Sequence, residues 1–88
     1  MNAQQVIALN IRRLRVAKGI SQDDLALMAG VERSYVGHLE RGSKNPTVKT
    51  LEKISVALSC EISDLFAPLP AGTIAIEPLR SGRKSSGI

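Results

Sequence analysis

Residues 21–42, SQDDLALMAGVERSYVGHLERG, decide the reading of this chain. They divide into two short helical segments around Ala29-Gly30-Val31-Glu32. Ala26 is small enough for two helices to cross closely. Gly30 can take the positive φ that a sharp turn between helices demands. Leu25, Val36 and Leu39 supply an apolar underside. The second segment is left with Glu32, Arg33, Ser34, Gly37 and His38 on its outer face, and all but the glycine carry polar groups able to reach the edges of bases. Two helices at a tight turn, the second turned outward, predict a protein that reads a DNA sequence.

Working outward, punctuation divides the rest of the chain. Ile7, Ile11 and Leu14 fall at i, i+4 and i+7 and predict an inward stripe on a first helix from about Gln4 to Lys18. Gly19 ends it as a left-handed cap, with Lys18 well placed in the last turn. Ser21 with Asp24 three residues on forms a capping-box pattern for the second helix. The third spans about Arg33 to Glu40 and Gly42 stops it. Asn45-Pro46 reads as the cap and first residue of a fourth helix, with Val48, Leu51, Ile54 and Leu58 on its buried face. Glu61 is expected to cap a short fifth helix carrying Ile62, Leu65 and Phe66. Pro68 and Pro70 mark the domain edge. Beyond them Thr73 to Glu77 alternates as a short strand would, and the terminal RSGRKSSGI is small, polar and basic, as expected of a disordered tail. The expectation is an all-α domain of five helices over residues 1–67, followed by a C-terminal extended arm and basic tail over 68–88.

Eighty-eight residues make one small domain. A core of this size stabilises only modestly, so a partner subunit would help. Tyr35 and Phe66 are its only aromatics, which leaves Leu, Ile, Val and Ala to pack helices together. The single cysteine, Cys60, excludes an internal disulfide framework. There is no apolar run long enough for a membrane, and the N-terminus lacks a charged region and cleavage site. These features predict a cytoplasmic protein. The net charge of +4 is shared equally between residues 1–67, with nine Lys/Arg against seven Asp/Glu, and residues 68–88, with three against one. Such a balance permits nucleic-acid binding without requiring it. No nucleophile–base pair, glycine-rich phosphate loop or metal-ligand cluster is visible, which argues against an enzyme, and no cofactor or metal is expected. His38 is the only histidine and cannot form a multi-histidine site.

The elements R-x-x-K-G-I-S-Q, L-A-x-x-A-G-V, S-Y-V, L-E-R-G and N-P-T follow one another between residues 11 and 66. In that order and spacing the chain resembles the lambda-repressor/Cro-like, or XRE-type, helix-turn-helix family. The stretch Arg33-Ser34-Tyr35-Val36-Gly37 is most similar to the small controller proteins of restriction–modification systems. The resemblance implies a lambda-repressor-like fold whose third helix lies in the major groove, with Glu32, Arg33, Ser34 and His38 at base edges. Arg33 would bond guanine O6 and N7 with two arms. Glu32 has three open readings: accepting from cytosine, orienting Arg33, or capping the helix. His38 is equally open between DNA contact and plain surface. Phosphate contacts would come from Gln22, Tyr35, Arg41, Lys44, Asn45 and Thr47, with the ring of Tyr35 also able to pack on the fourth helix. Gln22 begins a helix, where free N–H groups and the dipole favour an anion.

The family also implies an ion pair, Arg15–Glu40, that holds the recognition helix without touching DNA. It implies a homodimer on double-stranded DNA whose two half-sites form an inverted repeat about one helical turn apart. Ile62, Leu65, Phe66 and Leu69 are the candidate dimer surface, although some of the four must pack inward. The segment 73–79 is either an exchanged strand or a linker, and Arg80, Arg83 and Lys84 would add salt-dependent attraction or only solubility. Three departures stand out. Gly37 replaces a larger residue in mid-helix, Ser59 replaces a frequent glycine, and Cys60 occupies the place of a buried aliphatic. A second function class is an antitoxin that binds a toxin protein, through residues 69–88, and represses its own operon. A third is a protein–protein adaptor, which the polar and cationic Gln22, Arg33 and Lys44 argue against.

Overall fold

The structure is a computed structural model, and it describes residues 2–69. Four α-helices, α1 (Ala3–Lys18), α2 (Gln22–Ala29), α3 (Arg33–Glu40) and α4 (Val48–Ala57), are followed by one 3-10 turn, Ile62–Phe66. The expected fifth helix is therefore only this turn. Five residues between Glu61 and Ala67 give little room for an α-helical hydrogen-bond ladder, and the turn closes instead through i→i+3 bonds such as Asp64 N–H to the Glu61 carbonyl. Among the described residues there is no strand. The extended arm at 73–79 and the basic Arg80, Arg83 and Lys84 lie outside the described residues.

Local chemistry accounts for the helix boundaries. Asn2, Ser21 and Thr47 cap α1, α2 and α4, their side-chain oxygens accepting from the N–H groups of Gln5, Asp24 and Thr50. The capping box at Ser21 is closed by the Asp24 carboxylate, which accepts from the Ser21 N–H at 3.1 Å. Helix α1 thus starts one residue before the expected Gln4. Helix α4 starts later than Asn45-Pro46 suggests: Thr47, in extended conformation, carries the capping hydroxyl, so Pro46 precedes the cap. Each α-helix of the described residues ends in the same motif. The N–H groups of Ile20, Val31, Ser43 and Cys60 reach back to the carbonyls of Arg15, Ala26, His38 and Ser55. The residue before each takes positive φ: Gly19, Gly30 and Gly42 near +70°, and Ser59 at 57°. These are Schellman motifs, three with glycine at the left-handed position and one with serine.

The helices close around Ile11, Leu25, Val36, Leu39, Ile54 and Leu65, all 2% exposed or less. Helix α2 packs on both α3 and α4, while α1 and the 3-10 turn close the other side. Ala26, 1% exposed, lies at the α2–α3 crossing as its size suggests. Two expectations are corrected. Leu65 is fully buried, because the 3-10 turn directs it between α1 and α4; it belongs to the core and not to a dimer surface. Val48 is 70% exposed, because it opens α4 beyond the edge of the core.

Asn10, fully buried in the middle of α1, secures this arrangement. Its amide donates to the carbonyls of Leu65 (3.0 Å) and Ala67 (2.9 Å), and its oxygen accepts from Arg13 Nη2 (2.9 Å). The 3-10 turn is thereby tied to the first helix. Cys60 is half-buried against the core, as a residue in an aliphatic's place should be. Burial pushes its thiol above the ordinary range, and the carboxylates of Asp64 and Glu61 push it the same way against a smaller opposing effect of Arg13.

Candidate nucleic-acid interface

Helix α3 is eight residues long and amphipathic. Val36 and Leu39 enter the core while Glu32, Arg33 and Ser34 stand exposed at its N-terminal end. The short turn through Gly30 and Val31 sets this end beside the start of α2. An open depression results, lined by Gln22, Asp23, Arg33, Ser34, His38 and Arg41 around Gly37. It collects two expected base readers besides Ser34 and two of the expected phosphate contacts. Glu32 is the N-cap residue of α3, but its side chain makes no capping hydrogen bond. Arg33 is oriented by Asp23 and not by Glu32: its Nε donates to Asp23 Oδ1 at 3.2 Å. That contact uses one edge of the guanidinium and leaves the terminal NH2 groups, the ones a guanine would need. With both side chains more than half exposed, the pair orients Arg33 and contributes little stability.

Behind α3 lies a polar brace. Arg15 Nε and Nη2 donate to Glu40 Oε2 at 2.6 Å and Oε1 at 3.0 Å, and Arg15 Nη1 donates to the Ile20 carbonyl at 2.9 Å. Gln22 Nε2 adds a third donor to Glu40 at 3.1 Å. The Glu40 carboxylate is 4% exposed and the Arg15 side chain 14%. A two-armed pair with its remaining groups satisfied fixes the C-terminal end of α3 to α1 and α2. The expected ion pair is present, and Gln22 belongs to it. One N–H of the Gln22 amide supports α3, a role invisible without the fold.

Gly37 is also reassigned. It is buried, lying in the floor of the depression beneath Arg41. A Cβ there would stand 3.4 Å from Arg41 Nη1 and 3.6 Å from Gln22 Oε1. Arg41 folds back over it, and Arg41 Nη2 lies 2.8 Å from His38 Nδ1. An arginine only donates, so Nδ1 is the accepting nitrogen of His38.

The loop between α3 and α4 presents exposed Lys44 and Asn45. Gln4 holds it from α1, donating to the carbonyls of Gly42 (2.7 Å) and Lys44 (2.9 Å). Thr47, at the start of α4, has its hydroxyl engaged with Thr50 N–H and Oγ1. Tyr35 is half-buried with its ring against the core. A second depression is lined by Met28, Ala29, Val56, Cys60 and Ile62 together with the polar Glu52, Lys53, Ser55 and Glu61. Phe66 is half exposed, and Ile62 and Leu69 are partly exposed. Among the described residues no group of three or more His, Cys, Asp or Glu is placed to hold a metal, and no helix is long and apolar enough to cross a membrane.

Residues 11–65 match the Helix-turn-helix family. The uncharacterized HTH-type transcriptional regulator y4dJ of Sinorhizobium fredii is 36% identical over 76 residues, covering 83% of this chain and 99% of the relative. The restriction–modification controller protein C.AhdI from Aeromonas hydrophila has a crystal structure that superposes with a TM-score of 0.70 at 41% identity, over 72% of this chain and 91% of that one. The structure of C.Esp1396I bound to a 25 base pair operator site superposes with a TM-score of 0.69 at 32% identity, over 75% and 87%.

Proposed function

Because the chain belongs to the helix-turn-helix family of XRE type, we propose that it is a transcriptional regulator that binds double-stranded DNA in a sequence-specific way, as a homodimer on an inverted repeat. The observation that carries this reading is the exposed N-terminal end of α3, with Arg33 oriented by Asp23 and Ser34 free beside it, set on the Arg15–Glu40–Gln22 brace. A rigid helix that offers polar side chains from one end is what major-groove readout requires. Arg33, Ser34, His38 and Glu32 are the proposed base contacts. Lys44, Asn45, Tyr35 and Thr47 are the proposed backbone contacts, which fix register and do not read sequence. The related C.Esp1396I, bound to a 25 base pair operator site, supports DNA as the partner.

One module of this size reads only a few base pairs, so two copies give useful specificity. Phe66, Ile62 and Leu69, on the side opened by the 3-10 turn, are the proposed contact between them. A resemblance to restriction–modification controller proteins over most of the chain makes control of such a system the proposed setting.

The test is selection from random duplex DNA at two salt concentrations, followed by Arg33→Ala. An enriched inverted repeat whose affinity falls steeply with salt supports the reading. Arg33→Ala should then cost about 1–3 kcal/mol and relax one base position in each half-site. No enriched sequence from the wild-type protein rejects it.

A further inference from the structure

We propose that Arg41 is a base-reading residue of the groove face, carried over the missing side chain of Gly37 and locked there by His38. The proposal rests on the DNA-binding reading above and assigns its site a second arginine reader.

Arg41 follows the last residue of α3, from which an exposed arginine has two routes. It can run outward along the loop, towards the position of a backbone phosphate, or back along the helix. It runs back. Its Nη1 lies 3.4 Å from where a Cβ of Gly37 would stand, one turn earlier, and its Nη2 meets His38 Nδ1 at 2.8 Å. Side chains of a helix lean towards its N-terminus, and here the absence of a side chain at position 37 lets the guanidinium lie against the helix itself. The result places Arg41 in the same depression as Arg33 and Ser34.

Gly37 is otherwise unexplained. It sits inside α3 in ordinary helical conformation, so its backbone asks for no glycine, and a glycine weakens a helix interior. Space offers a reason: a Cβ there would meet Arg41 Nη1 at 3.4 Å and Gln22 Oε1 at 3.6 Å, ordinary contact distances that a methyl group tolerates, whereas a longer side chain would take the place of the guanidinium.

The chemistry of the pair defines what it would bind. Arginine has no acceptor, so His38 holds Arg41 through an unprotonated Nδ1, and the ring's hydrogen then resides on Nε2. Arg41 and His38 together therefore offer donors only. A surface of donors fits the acceptor-rich edge of guanine, O6 and N7, and rejects the amino groups of cytosine and adenine. The proposed ligand is a guanine in the half-site, at a position other than the one read by Arg33.

The test uses the full chain, the duplex enriched by selection and every single-base variant of it. Arg41→Ala should reduce discrimination at one guanine about tenfold, and Arg33→Ala should do so at a different position. Arg41→Lys keeps the charge at an exposed site but loses the two-armed donor, and should lose the same discrimination. Gly37→Ala, whose Cβ makes only ordinary contacts, should raise the thermal midpoint and keep the preference, whereas Gly37→Gln, whose longer side chain takes the guanidinium's place, should weaken preference at the Arg41 position without lowering the midpoint. The proposal is overturned if Arg41→Ala lowers affinity for all duplexes by one common factor while Arg41→Lys restores it, the behaviour of a phosphate contact. It is also overturned if Gly37→Gln leaves the preference intact. In both cases the wild-type selection still stands. If the wild-type protein enriches nothing, the DNA-binding reading falls and this proposal with it.

Discussion

Replacing Arg15 with methionine removes donors that satisfy Glu40 while keeping an unbranched, apolar chain in place of the arginine stem. The Glu40 carboxylate is 4% exposed and accepts three hydrogen bonds, two of them from Arg15. After the change it keeps only Gln22, and the Ile20 carbonyl loses its partner as well. Breaking a buried pair by removing one member costs about 3–5 kcal/mol. Arg15 retains some solvent contact, which places the expected loss near the lower end, at about 3 kcal/mol. For a domain of this size that corresponds to a fall of roughly 12–24 °C in melting temperature. Urea unfolding at 25 °C of the wild type, Arg15→Met, Glu40→Met and the double variant closes the cycle. The double variant buries no orphan charge and should lose only about 1–2 kcal/mol, so the two changes should couple by at least about 2 kcal/mol. A loss below about 1 kcal/mol for Arg15→Met, or losses that simply add, would refute the brace as the element that fixes α3.

Asn10→Ala removes three hydrogen bonds and orphans the Leu65 and Ala67 carbonyls, so a loss of about 2–4 kcal/mol is expected by denaturant unfolding; a loss below about 1 kcal/mol would contradict its role as the tie to the 3-10 turn. Ser59→Gly should stabilise the protein by about 0.5–1 kcal/mol. Relief of a left-handed serine is worth about 1–2 kcal/mol, and the greater unfolded-state entropy of glycine takes part of that back. A melting temperature that falls would show serine supplying something the Schellman geometry does not explain. Cys60 should alkylate more slowly than an unhindered thiol at neutral pH, and its reactivity should reach half-maximum at higher pH, since burial and the neighbouring Asp64 and Glu61 all disfavour the thiolate. Mass spectrometry of iodoacetamide labelling against pH measures this, and a half-maximum at or below the ordinary thiol value would sink it.

Much of the helix pattern was legible because it is decided within a few residues. The capping box at Ser21 and Asp24 spans four residues, and the left-handed caps at Gly19, Gly30 and Gly42 close over five or six. Short hydrogen bonds of this kind need no partner from elsewhere, so residue type and spacing reveal them. Ser59 closes the same motif as the three glycines, but its residue type gives no such signal. The start of α4 was misplaced for a related reason. Asn45-Pro46 and Thr47 both carry capping chemistry, and local preference alone does not choose between adjacent candidates.

By itself, then, the sequence determined an all-helical domain, its breaks, and an outward-facing α3 with Arg33 and Ser34 at its exposed end. Its similarity to a family supplied the Arg15–Glu40 pair, which no local pattern demands. Only the tertiary structure decided that Leu65 is core, that Asn10 ties residues 55 and 57 positions away, and that Gln4 clamps a loop 38 and 40 positions on. It likewise decided that Gln22 braces Glu40 and that Gly37 opens a path for Arg41. The physical reason is common to all of these. A side-chain amide or a missing Cβ has no preferred partner until packing brings one within about 3–4 Å, and packing depends on the whole set of helices at once.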